Sequence, residues 1–189
     1  MLVCVMRKQG RLRELRRQII DEVWVRDWRE VWFYPARDGV MGWEGTQDIM
    51  FVGINPSTGH SFSKNDDFYY AELAKNGFAN AHLTDVVKER ATATEREVLL
   101  DDPATMRRHQ GYFMDEIDIV RPRMIIPVGQ RAARVLSLWL PGDDRLWLPH
   151  PTDKRRRVPH YSAQITTAAT RREFGMSMVK VRTSYGSRG

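Results

Sequence analysis

The stretch Asp48-Ile49-Met50-Phe51-Val52-Gly53-Ile54-Asn55-Pro56-Ser57-Thr58-Gly59 decides the reading of this chain. Its first half is a run of apolar residues too short for a helix and too continuous for a half-exposed strand, so it predicts a strand buried on both faces. Its second half couples glycine freedom to a φ-locking proline around an asparagine, which forces a sharp turn at the strand's end. Outward from it, apolar runs recur at 81–87, 124–128 and 145–148. Helix-period segments lie between them at 66–77, at 94–120 with an interruption near Pro103, and at 130–139. Strand–helix alternation of this kind predicts an α/β fold, a three-layer α/β/α sandwich around a central, mostly parallel four-stranded sheet.

The flanks read differently. Residues 11–34 carry Leu12, Leu15, Ile19, Ile20, Val23, Trp24, Trp28 and Val31 at three- and four-residue spacings, an amphipathic helix broken near Asp27. Pro35, Gly39, Gly42 and Gly45 then mark an irregular connection, so 1–47 is expected to be a helical segment and loop ahead of the sheet. A last helix is expected over 160–174. Beyond it 178–182 reads as an edge strand, and 176–189 as a flexible tail overall. With 189 residues the whole is expected to be one domain and a monomer.

Apolar residues make up 42% and charged residues 29%, which excludes a disordered chain. The net charge of +6 favours polyanionic partners. Cys4 is the single cysteine, so an intramolecular disulfide, a four-cysteine zinc site and a four-cysteine iron–sulfur cluster are excluded. The short apolar start is followed at once by Arg7 and Lys8, the reverse of a secretion signal, and no apolar run approaches ~18 residues. A cytoplasmic, non-secreted protein without a membrane anchor is expected. His60, His82, His109 and His160 lack metal-like spacing with acidic partners, so no metal or other cofactor is assigned.

In parallel sheets ligands bind beyond the carboxyl ends of the strands, which directs attention to two loops. The loop at 53–59 fixes Asn55, able to hold a water or a base edge, or to serve only as an Asx turn leaving the strand. The loop at 149–157 places His150 between Pro149 and Pro151, where its ring can donate to developing negative charge or act only as a turn residue. The cations Lys154, Arg155, Arg156 and Arg157 follow directly, as a phosphate clamp or a solvated loop. Neither a Gly-x-x-x-x-Gly-Lys-Ser/Thr loop nor a Gly-x-Gly-x-x-Gly fingerprint supports an enzyme of free nucleotides.

Taken together, Gly53-Ile54-Asn55-Pro56-Ser57 and His150-Pro151-Thr152 resemble the two signatures of the uracil-DNA glycosylase superfamily, closest to its mismatch-specific uracil/thymine branch. Asp67-Phe68-Tyr69-Tyr70 with Asn76-Gly77-Phe78 is similar to that branch's aromatic helix. Leu83-Thr84-Asp85-Val86-Val87-Lys88 resembles its second strand, and the stretch from Arg121-Pro122 to Val128-Gly129 its third. The resemblance spans about 48 to 165. It implies a monofunctional glycosylase that flips a uracil-like base from DNA and hydrolyses its N-glycosidic bond in base excision repair. The alternative is a non-catalytic nucleic-acid-binding protein on the same fold.

By the resemblance, Asn55 positions the attacking water and His150 stabilises the anionic base, while Gly53, Ile54, Phe62, Phe68 and Asp85 line the base pocket. Ser57, Thr58, Thr152, Lys154, Arg155 and Arg156 hold phosphates. Thr152 stands where serine is usual, and Arg155 or Arg156 takes the place of a leucine wedge. Asp85 stands where several branches read uracil with asparagine. Because a buried carboxyl costs several kcal/mol without good partners, Asp85 is expected to point away from the pocket; the other arrangement has it facing the base in protonated form.

Overall fold

The computed structural model describes residues 2–25, 27–58, 63–147, 158 and 167–187. Three parallel strands, β1 (Ile49–Gly53), β2 (His82–Asp85) and β3 (Met124–Pro127), lie in the order β2-β1-β3. Phe51 pairs with Leu83 on one side and with Ile126 on the other, so β1 is central. The helices are α1 (Leu2–Ile19), α2 (Lys64–Lys75), α3 (Ala93–Asp101), α4 (Pro103–Val120), α5 (Gln130–Trp139) and α6 (Ala168–Gly186).

Successive strand residues face opposite sides, and the core divides accordingly. Met50, Val52 and Ile125 face Leu12, Leu15 and Ile19 of α1, Phe113 and Ile117 of α4, and Leu136 of α5. Ile49, Phe51 and Ile126 face Tyr69, Tyr70 and Leu73 of α2 and Phe174, Met178 and Val181 of α6. Three layers result, as the alternation predicts.

The sheet has three strands among the described residues, not the four expected. Leu146 bridges Ile125 on the outer edge of β3, through Ile125 N–H donating to Arg145 O and Trp147 N–H donating to Ile125 O. The next donor on the β3 side of that ladder would be residue 127, which is a proline. Among the described residues the pairing there is this one bridge. A second parallel bridge joins Val128 to Val158 farther along.

The ends of the chain also depart from expectation. The first helix begins at Leu2 rather than 11, and a turn of π-helix over Ile20–Val25 ends it before Trp28. Lys8 Nζ donates to Val120 O at 2.7 Å, closing the end of α4. Tyr112 Oη donates to Glu22 at 2.5 Å, so α1 runs antiparallel to α4. The edge strand expected at 178–182, and the flexible tail expected over 176–189 as far as Gly186, are instead part of α6, which starts from a capping box on Thr167 and Thr170. Phe174, Met178 and Val181 are fully buried at helical spacing. The alternating run Met178-Val179-Lys180-Val181-Arg182 fits both periods, and packing against α2 selects the helix.

Proline and glycine set the remaining joints. Pro103 opens α4, with the Asp102 side chain accepting from Ala104 and Thr105 N–H, which is why one long helical pattern becomes two helices. Gly45 passes so close to β2 that a Cβ there would lie 1.9 Å from Ala81 O.

Candidate functional site at the carboxyl edge of the sheet

From β1 the chain leaves toward β2 on one side, while β3 lies on the other, so the carboxyl end of β1 is the point where the winding reverses. The loop that follows is tied down residue by residue. Val86 N–H donates to Gly53 O, Val87 N–H to Ile54 O and Ala91 N–H to Pro56 O. Arg90 Nη1 donates to Ser57 O at 2.6 Å. Asn55, half-buried, donates through Nδ2 to Pro56 O at 2.7 Å and to Ala91 O at 3.1 Å. Both acceptors are carbonyls, so the orientation of the amide follows from its partners. Its Oδ1 has no hydrogen bond among the described residues and is the atom that can accept from a water.

Gly53 is required by Asp85. A Cβ on Gly53 would lie 2.1 Å from Asp85 Oδ1, so the glycine admits the carboxyl against the strand end. Asp85 is only 3% exposed, so the fold bears the cost of burying its carboxyl. Two features offset that cost: Tyr34 Oη donates to Oδ1 at 3.4 Å, and the Lys88 ammonium lies close by. Burial still dominates and pushes the carboxyl up to about 7, with Lys88 and Tyr34 opposing and Glu116 assisting. Asp85 is thus poised to change charge near neutrality directly beside Gly53.

Beneath this edge lies a closed set of charges. Lys88 Nζ donates to Thr84 Oγ1 at 2.7 Å and to Asp85 O, and it pairs with Glu116 Oε1 at 2.6 Å. Glu116 Oε2 meets His82 Nε2 at 3.0 Å, and His82 Nδ1 meets Trp43 O at 2.6 Å. Burial works to raise the Glu116 carboxyl, but Lys88 and His82 together hold it below the usual range. Farther along, burial lowers His109, whose Nδ1 accepts from Lys88 N–H. Its Nε2 therefore donates to Glu89, at 3.1 Å. Glu89 also receives Arg108 and borders a groove of about 450 Å³ lined by Asp27, Arg29, Asp102 and Arg108.

The other expected site residues are placed as follows. Ile54 is buried, and Ser57 and Thr58 are exposed beyond Asn55. Phe68 is half-buried, its ring packing edge-on to Phe174 at 5.7 Å with the Arg171 guanidinium 5.4 Å from its centroid. Phe62, His150, Thr152, Lys154, Arg155 and Arg156 lie outside the described residues. Sequence reasoning missed Tyr34 and Arg90. Each acts through a partner at least 33 positions away, and no local pattern marks such a contact.

Among the described residues no three His, Cys, Asp or Glu side chains gather to hold a metal, and no helix is long and apolar enough to cross a membrane. Curated protein sequences give no significant match. The model of the Uracil DNA glycosylase superfamily matches residues 43–169, a span that takes in all three strands, the Asn55 loop and the Asp85 strand end. A match over most of the length, on an α/β fold with a parallel sheet, places this chain in the uracil-DNA glycosylase superfamily.

Proposed function

We propose that the protein is a monofunctional DNA glycosylase of the mismatch-specific uracil/thymine type, which extrudes a uracil-like base and hydrolyses its N-glycosidic bond. The observation that carries the reading is Asn55, whose amide donors are held by Pro56 O and Ala91 O at the carboxyl end of the central strand. Its Oδ1 positions a water toward C1′ of the extruded nucleotide. As the C1′–N bond breaks, its electron pair leaves with the base, water oxygen bonds C1′, and one water proton is released to solvent or base. His150 donates to the departing base's O2, and Ser57, Thr58, Thr152, Lys154, Arg155 and Arg156 take the flanking phosphates. Asn55 is not a strong base at neutral pH, so leaving-group stabilisation and water placement supply the rate, and turnover is modest. The reading includes a single catalytic unit acting as a monomer inside the cell.

Oligonucleotides carrying one uracil, thymine mismatch, hypoxanthine or xanthine, treated with alkali after incubation, test this directly. Strand breaks at uracil are expected, reduced about a hundredfold in Asn55→Ala with binding retained. Binding without a break at any lesion, even in enzyme excess, would replace this reading with that of a non-catalytic nucleic-acid-binding protein.

A further inference from the structure

The chain's charge is not spread over its surface. Leu2–Ile19 holds Arg7, Lys8, Arg11, Arg13, Arg16 and Arg17 against Glu14 alone, so six cations less one anion give α1 +5 of the whole chain's +6. Lys8 is spent on the end of α4, Arg13 pairs with Glu44 at 2.6 Å, Arg17 pairs with Glu14 and Arg16 lies over the Phe33 ring, while Arg7, Arg11, Arg13, Arg16 and Arg17 all stand on exposed positions of a helix roughly 27 Å long at 1.5 Å per residue, where such surface pairs exchange readily for phosphates.

Where this helix ends, an aromatic ledge begins. Trp28 is 83% exposed, and Trp24 and Val25 beside it are also exposed. Trp28 has φ +56°, a left-handed conformation that disfavours a bulky side chain, and Trp28 N–H donating to Trp24 O holds the turn. A strained backbone that presents an indole to water gains nothing from core packing. Two residues on, Glu30 O accepts from Arg90 N–H, and Arg90 in turn holds Ser57 O of the Asn55 loop. The ledge therefore adjoins the carboxyl edge of the sheet.

We infer that α1 and the ledge of Trp24 and Trp28 form a single-stranded nucleic-acid surface, the arginines following the phosphates and Trp28 stacking on an unpaired base next to the carboxyl edge of the sheet. Exposed cations on a helix that leads to an exposed ring are the combination single strands require, because an unpaired base offers a π-face that a duplex keeps stacked. The inference rests on the nucleic-acid reading above, not on excision.

The test uses the full chain and undamaged fluorescein-labelled oligonucleotides, single- and double-stranded, followed by anisotropy through a salt titration. Trp28→Gly, which suits the left-handed backbone, should weaken single-strand binding about five- to a hundredfold and leave duplex binding within about twofold. Trp28→Phe should restore most of the loss. Arg7→Gln with Arg11→Gln and Arg17→Gln should flatten the single-strand salt slope by about 2, at about 0.7 per phosphate. Thermal melts show whether each variant is folded. The inference falls if the parent binds no single strand, if folded variants keep the parent affinity and slope, or if duplex binding falls equally. It falls too if these variants weaken binding only to anionic vesicles or polyglutamate. Single-strand binding that responds as described, with no excision at any lesion, supports this surface while removing the glycosylase reading.

Discussion

The α1/α4 face and the α2/α6 face of the sheet are both closed to water, yet the first sets a buried ionic network among its rings while the second is closed chiefly by rings. On the first, Lys88, Glu116 and His82 are essentially fully buried and join β2 to α4 through directional contacts. On the second, Tyr69 meets Tyr70 and Phe174 edge to face and Phe51 meets Phe78 at a tilt, with centroids about 5 to 6 Å apart. Rings yield to small changes in volume, whereas a buried charge deprived of its partner has no water to fall back on. The ionic face should therefore be brittle and the aromatic face graded.

The sharpest break is Glu116→Ala, which strands both Lys88 and His82. A loss of about 3–5 kcal/mol in urea unfolding is expected. Lys88→Met combined with Glu116→Leu should recover most of it, because removing both charges also removes the cost of burying them. A single-variant loss under about 1 kcal/mol would show that the network is hydrated and the contrast between faces false.

Next in size is Asp85→Asn. The carboxyl titrates at 3.8 when unfolded and about 7 when folded, so between those values the native state holds more protons than the unfolded state. Stability contributed by the neutral form falls as pH rises through that window. The variant should thus be the more stable one at pH 8, by on the order of 2–3 kcal/mol, and close to the parent at pH 4. Equal gains at both pH values would assign the effect to packing instead. The smallest effect belongs to the aromatic face: Phe174→Leu should cost only about 1 kcal/mol, read from the same urea curves. A loss as large as that of Glu116→Ala would erase the distinction.

How far these features were legible follows from the distance over which each is encoded. α5 at Gln130–Trp139 and the division of α3 from α4 at Pro103 are local facts, and the sequence alone places both. The fate of residues 178–182 was not legible, since Val179 and Val181 alternate with Lys180 and Arg182 at period 2 while Phe174, Met178, Val181 and Tyr185 satisfy the helical period. In the site, the Asn55 turn can be read from Gly53 and Pro56. The burial of Asp85 cannot, because it depends on Tyr34, 51 residues away, and on Lys88, which is itself held by α4. Residue type announces a carboxyl; only the fold decides whether water reaches it.

Pro127 bears on more than strand number. An unfinished sheet edge offers backbone donors and acceptors to any extended segment of another molecule, and growth along such edges is how soluble proteins become insoluble. On the outer side of β3 the Ile125 donor and acceptor are already taken by Arg145 and Trp147, and the next position has no N–H to give. At Pro127 that side of β3 has an acceptor but no donor to offer an extended segment, so this one position cannot carry a paired ladder.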